Sequence, residues 1–208
     1  MGEVIPSYEK IYNSINKITN LIIINVLWIV CCIPLITIGA ATTAMYTVTF
    51  KMADGIEGSH ISKDFFKAFK ENFNCATKVW VVSMVIGVVL SVNVYMVNTF
   101  AAPNNKIMLF FLFLLILVFC TFEIYIYPII AIFKDDLKTE LKNALFMSLA
   151  NLPSSALILC MTIIPLILMA FFAEEVLVIV MFYLVIGYSY AAYTNTKLFK
   201  RIFKKYVK

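Results

Sequence analysis

The sequence predicts an all-α fold: a polytopic integral membrane helix bundle with five main hydrophobic segments, in a single membrane domain over residues 1–208. Three observations lead there. Hydrophobic residues make up 62% of the chain and charged residues 14%, with a mean hydropathy of +0.93. Soluble domains use roughly 25% charged residues to cover a water-facing surface. The apolar residues fall in long uncharged runs. The 17 Lys and Arg are gathered in short segments between those runs. A soluble globular enzyme, a disordered chain and a secreted disulfide scaffold are all excluded by this pattern.

A helix needs about 20 apolar residues to cross the hydrocarbon core. The runs that reach this length cover about residues 18–50, 79–101, 107–133, 146–172 and 176–196. Their hydrophobicity is continuous rather than alternating, so they read as helices and not as barrel strands. A helix also satisfies its own backbone groups in lipid. Ile18 to Phe50 is uncharged for 33 residues. At about 1.5 Å per residue that is roughly 50 Å, too long for one straight crossing. Pro34 and Gly39 lie in its middle, and proline breaks or kinks a helix. Two readings stay open: a kinked span with the N-terminus outside, or a helical hairpin that returns from about Ala40. The leader before this run is too long and polar for a signal peptide, and the apolar run continues through Phe50.

The basic residues set the orientation. Residues 51–78 hold five Lys, 134–142 three, and 197–208 six Lys and Arg. The positive-inside rule places all three segments, and so the C-terminus, in the cytoplasm of a multi-pass plasma-membrane protein. The net charge of +5 is thus an orientation signal and a contact with the lipid bilayer, with no need for nucleic acid. The tail 197–208 reads as a basic amphipathic anchor. Lys197, Lys200, Arg201, Lys204 and Lys205 would each attract anionic lipid by roughly 1 kcal/mol.

Residues 62–78 read as a separate amphipathic helix with Ser62 as its N-cap, Asp64 in its first turn, and Gly55 and Gly58 breaking it from what precedes. Phe65, Phe69 and Phe73 fall on one face, with Phe66 beside them. Such a row serves a helix lying flat in the headgroups, or a docking surface for a cytoplasmic partner. Residues 134–145 repeat the pattern more weakly through Leu137, Leu141 and Leu145.

Glu123 is the one charge deep inside an uncharged run. An intramembrane carboxylate is costly and by default a functional hypothesis. It would be a neutral acid, a structural hydrogen-bonding group beside Tyr125, Tyr127 or Asn93, or part of a transport or proton pathway. Asn93 and Asn98 read as interhelical hydrogen-bonding groups. Gly39 with Thr43, and Ala40 with Ala44, form two small-xxx-small pairs that permit close helix packing. The five cysteines are scattered and His60 is the one histidine. No metal site, cofactor site, nucleophilic triad or phosphate loop assembles, so no enzyme is expected.

Three strings in order carry a resemblance. They are Asn25-Val26-Leu27-Trp28 with Ile33-Pro34-Leu35-Ile36-Thr37-Ile38-Gly39-Ala40-Ala41-Thr42-Thr43-Ala44-Met45-Tyr46; Asp64-Phe65-Phe66-Lys67-Ala68-Phe69-Lys70-Glu71-Asn72-Phe73; and Tyr127-Pro128-Ile129-Ile130-Ala131 with Leu141-Lys142-Asn143-Ala144-Leu145 and Asn151-Leu152-Pro153. Together they resemble the YesL family of bacterial membrane proteins, whose biochemical function is uncharacterised. The resemblance implies a small polytopic bacterial protein encoded near carbohydrate-uptake ABC transporters. It carries over no catalytic residue. The expectation is a non-enzymatic accessory or regulatory partner of a carbohydrate ABC transporter, with sugar transporter subunits or a second copy as partners. The alternative is a small-solute transporter or channel that uses Glu123.

Overall fold

The structure is a computed structural model that describes residues 4–56, 60–100, 106–171 and 176–206. Gly58 and the links 101–105 and 172–175 lie outside the described residues. Every element among the described residues is helical: α1 (Val4–Cys32), a 3-10 turn (Leu35–Thr37), α2 (Ile38–Ala53), α3 (Ile61–Phe100), α4 (Lys106–Phe133), α5 (Leu137–Ala150), α6 (Leu152–Phe171), α7 (Val176–Phe182), a π-helical segment (Tyr183–Gly187) and α8 (Tyr188–Phe203). Four stretches are long and apolar enough to cross a membrane: Ser14–Cys32, Ile61–Thr99, Lys106–Phe133 and Val176–Phe203. The chain is therefore an all-α, multi-pass membrane bundle.

The long first run resolves as the hairpin. Trp28 Nε1 donates to Thr42 Oγ1 at 3.2 Å. Fourteen residues along a straight helix would hold these groups about 21 Å apart, so the chain has turned back on itself. The turn leaves carbonyls at the end of α1 without helical donors, and each such group is costly in lipid. Thr37 supplies donors: its N–H reaches the Pro34 carbonyl at 2.8 Å, and its hydroxyl lies 2.5 Å from the Cys31 carbonyl and 2.6 Å from that of Pro34. Trp80 of α3 donates its indole N–H to the Leu35 carbonyl at 2.8 Å.

The return arm α2 is the centre of the bundle. All but four of its sixteen residues are buried, Gly39, Ala40, Thr43 and Ala44 among them. The small residues let its backbone approach α3. A Cβ at Gly39 would stand 2.5 Å from the Ala76 carbonyl oxygen and 2.7 Å from Trp80 Cβ. An aromatic cluster at the other end of α2 ties it to α4 and α8. Phe199 packs edge-on against Tyr46 and Tyr125, and Phe203 meets Phe50 and Phe133.

Several sequence expectations need correction. Residues 62–78 are not a separate helix lying flat on the membrane. They continue into the span as one 40-residue helix of about 60 Å, because no Gly, Pro or capping residue interrupts Lys78–Val79. The helix also starts earlier than Ser62, since the Asp64 N–H already donates to the His60 carbonyl. The apolar run 146–172 is not one segment. Residues up to Ala150 belong to α5, and α6 leaves at a bend of 98°. Asn151 and Ser155 hold the bend. Asn151 Nδ2 donates to the Met147 carbonyl and the Tyr206 hydroxyl, and Ser155 Oγ lies 2.8 Å from the Ser148 carbonyl and 3.0 Å from the Tyr125 hydroxyl. The face that α5 buries is Glu140, Ala144, Met147 and Ser148, with Leu145 exposed. The apolar face of the tail, Phe199, Ile202 and Phe203, is buried in the bundle rather than offered to lipid.

The close approach at Gly39 generates a prediction. Gly39→Ala forces α2 and α3 apart and lowers stability by about 1–3 kcal/mol, the usual cost of overpacking. Gly87→Ala, on the same α3 but with nothing within 4 Å of the added Cβ, leaves stability unchanged or slightly raised. Reversible unfolding of the detergent-solubilised variants reads both.

Candidate functional site

The strongest site grows from a helix that is deliberately irregular. In an α-helix the Ser189 N–H would donate to the Val185 carbonyl. The π-helical segment Tyr183–Gly187 adds a residue to the turn and upsets that pairing, and such segments concentrate at functional positions. Asn25 of α1 makes good the deficit. It is fully buried. Its Nδ2 donates to the Tyr183 and Leu184 carbonyls at 3.1 and 2.6 Å, and its Oδ1 accepts from the Ser189 N–H at 3.0 Å. Ser189 Oγ donates in turn to the Leu21 carbonyl at 2.8 Å. One amide thus serves three backbone groups and binds α1 to the far half of the chain.

A cavity of about 260 Å³ opens beside this clamp. Its walls come from α2, α3, α4, α6, the π segment and α8. Ile38, Thr42 and Tyr46 of α2 follow the hairpin turn, and Tyr183 lies in the π segment. Tyr188 and Asn195 belong to α8, Thr162 to α6, and Trp80 to α3. Glu123 and Tyr127 of α4 complete it. Behind the wall, Trp28 stacks on Tyr188 with ring centroids 4.2 Å apart.

Glu123 accepts from the Ser83 hydroxyl on one oxygen and from the Tyr127 hydroxyl at 3.2 Å on the other. Tyr127 was among its expected partners. Ser83 takes the place foreseen for Asn93, while Tyr125 turns instead to Ser155. Glu123 is half-buried and also lines a second space, of about 560 Å³, which runs between α3 and α4 past Gly87 and Ser91. Trp80 is the other residue common to both walls. The carboxylate and the indole therefore stand between the cavity and this open groove, whose walls include the exposed Met84, Val88 and Val92.

Asn93 is exposed, and its Nδ2 donates to its own helix at the Val89 carbonyl, 2.7 Å away, rather than across helices. Asn98 is exposed as well. Asn195 is a residue that sequence reasoning missed. It is 3% exposed, it faces the cavity, and its Oδ1 has no hydrogen-bond partner. Such orphans are rare in native interiors. Asn25 is a single polar residue within an apolar run, and that isolation was the signal available; Asn195, between Thr194 and Thr196, had none.

The opposite candidate lies at the charged end. Lys51 pairs with Asp64 and Lys134 with Glu71, each at 3.1 Å, and Lys200 pairs with Asp54. These pairs bring residues 51–78, 134–142 and the tail to one end of the bundle, as one-sided charge sorting requires. Of the phenylalanine row, Phe65 is fully buried and unavailable to a partner, Phe69 packs half-buried on the core, and Phe66 and Phe73 remain exposed. Among the anchoring residues, Lys197, Arg201, Lys204 and Lys205 are exposed. Lys197 sits 4.8 Å over the Tyr193 ring.

Comparison with known proteins adds one match. Residues 21–94 match a family described as "Protein of unknown function, DUF624". Neither the curated proteins nor the solved structures returned a match. The matched stretch runs from the middle of α1 to the outer half of α3, and so contains Asn25, Thr42, Tyr46, Trp80 and Ser83. Glu123 and Asn195 lie beyond it.

The clamp yields the second prediction. Asn25→Ala removes the side-chain bonds to two carbonyls and an N–H. It lowers the stability of the purified protein by about 1–3 kcal/mol, the cost of an unsatisfied buried polar group. Val26→Ala, an exposed neighbour on the same helix, changes it little. Thermal melts of the two variants side by side make the comparison.

Proposed function

We propose that this chain is a non-enzymatic membrane protein that passes a small polar solute across the bilayer through the site at Glu123. One observation carries the reading: Glu123 and Trp80 form the common wall of a cavity among α2, α4 and α8 and an open groove between α3 and α4. Broken helices around a central polar site are the recurring construction of secondary transporters, because irregular backbone is tolerated at membrane depth where it lines a cavity. Ile38, directly after the hairpin turn, and Tyr183 of the π segment both line the cavity beside Glu123. A carboxylate sealed by packing would have removed this support.

The test is access from the two sides. In a background with Cys31, Cys32, Cys75, Cys120 and Cys160 replaced, Thr42→Cys reports on the cavity and Gly87→Cys on the groove. A membrane-impermeant thiol reagent applied to vesicles of each orientation labels the two positions from opposite sides. Labelling of both from one side, or of neither, contradicts the reading.

A second reading rests on the resemblance to the YesL family. It makes the chain an accessory partner of a bacterial carbohydrate ABC transporter, docked through the exposed Phe66 and Phe73 at a cytoplasmic end that also carries the C-terminus. Co-purification from native membranes supports it if transporter subunits are recovered with the wild-type chain and lost with Phe66→Ser/Phe73→Ser. Recovery of none removes it.

A further inference from the structure

We propose that the cavity beside Glu123 binds a small protonated amine. The inference rests on the reading of that cavity as a solute site and adds the chemical class of the solute.

Three features of the wall select the class. Glu123 contributes the one carboxylate, and no Lys, Arg or His lines the cavity, so an anionic solute finds no counter-charge there. Both oxygens of Glu123 are held by hydroxyls, from Ser83 and Tyr127, which fixes the carboxyl group in the cavity wall. A cation in the cavity would favour the ionised carboxylate, and the pair avoids the cost of an isolated charge at membrane depth. Asn195 Oδ1 is the second acceptor. It is buried, faces the cavity and lacks a donor. A solute that satisfies it must carry an N–H or O–H. Lastly, Trp80, Tyr46, Tyr183 and Tyr188 supply aromatic surface on the remaining sides, and aromatic faces attract organic cations.

The alternatives fit less well. Hard metal ions take six or more oxygen ligands or keep their waters, and among the described residues no three His, Cys, Asp or Glu gather. A quaternary ammonium satisfies the aromatic walls but offers Asn195 no donor. The volume sets an upper size. About 260 Å³ is roughly eight or nine water volumes at about 30 Å³ each, which admits a small primary amine and excludes a disaccharide.

Ethanolammonium and ethylene glycol, close in size and unequal in charge, are the probes. Each is titrated into the full-length protein in nanodiscs at constant ionic strength. The readout is tryptophan fluorescence, to which Trp80 in the wall and Trp28 behind it both respond. Ethanolammonium is expected to bind saturably and ethylene glycol not to bind. Glu123→Gln, which keeps the shape and removes the charge, is expected to weaken ethanolammonium at least tenfold. Asn195→Ala, checked for an unchanged melting temperature, is expected to weaken it several-fold. If ethylene glycol binds as tightly, or Glu123→Gln binds ethanolammonium undiminished, the amine assignment is overturned while the cavity remains a solute site. If neither probe binds, the amine assignment is overturned too; the labelling experiment with Thr42→Cys then decides separately whether the cavity is reached from solution.

Discussion

A backbone group released from its helix has no water to turn to inside a bilayer, and this one constraint organises the molecule. Away from the charged end, the described helices break at the turn at residues 33–37, the bend at Asn151 and the π segment at residues 183–187. At each, a polar side chain supplies the missing partner. Thr37 and Trp80 serve the first, Asn151 and Ser155 the second, Asn25 and Ser189 the third. An unbroken helix would need none of these residues and would enclose no cavity. Two of the three breaks, the hairpin turn leading into Ile38 and the π segment at Tyr183, bring irregular backbone to the edge of the cavity beside Glu123.

The return arm α2 lies at the centre of this arrangement. Its Gly39-Ala40 start lies against Ala76 and Trp80, and its aromatic end is gripped by α8 and α4. At its start the small residues Gly39, Ala40, Ala41, Thr43 and Ala44 let neighbouring helices close around it, because no bulky side chain holds them away there. Ion pairs at the charged end lock the loops around it. Those pairs are partly exposed and contribute little singly; their value is in fixing which loops meet. Glu123 is then held at a set place by Ser83 from α3 and Tyr127 from its own helix, open to space on two sides.

The architecture was legible in the sequence because length and hydropathy suffice to mark a span. The break at Pro34 was visible for the same reason that it occurs, the absent N–H. The continuity of α3 was not visible. The shift from amphipathic to wholly apolar at Lys78–Val79 looks like a boundary in composition, but the backbone needs a breaker to stop and has none there. The phenylalanine row failed at Phe65 because an amphipathic face says that something covers it, and here α3 packs that face within its own bundle. Glu123 was found as the lone charge in a run. Asn25 and Asn195 were not, since a neutral amide in an apolar run is ordinary until its partners are known. What distinguishes them is long-range: Asn25 meets residues more than 150 positions away, and Asn195 is folded into the cavity wall beside Tyr46.

The central claim is that Asn25 exists to satisfy the π segment. A π segment is an α-helix with one residue too many, so removing Val185 restores ordinary pairing and leaves no carbonyl for Asn25 to serve. The direct measurement is the cost of Asn25→Leu in the intact chain and in the chain lacking Val185, read by unfolding in the same detergent. The account predicts a substantial cost in the intact chain that falls to nearly nothing without Val185. Equal costs in the two backgrounds would contradict it.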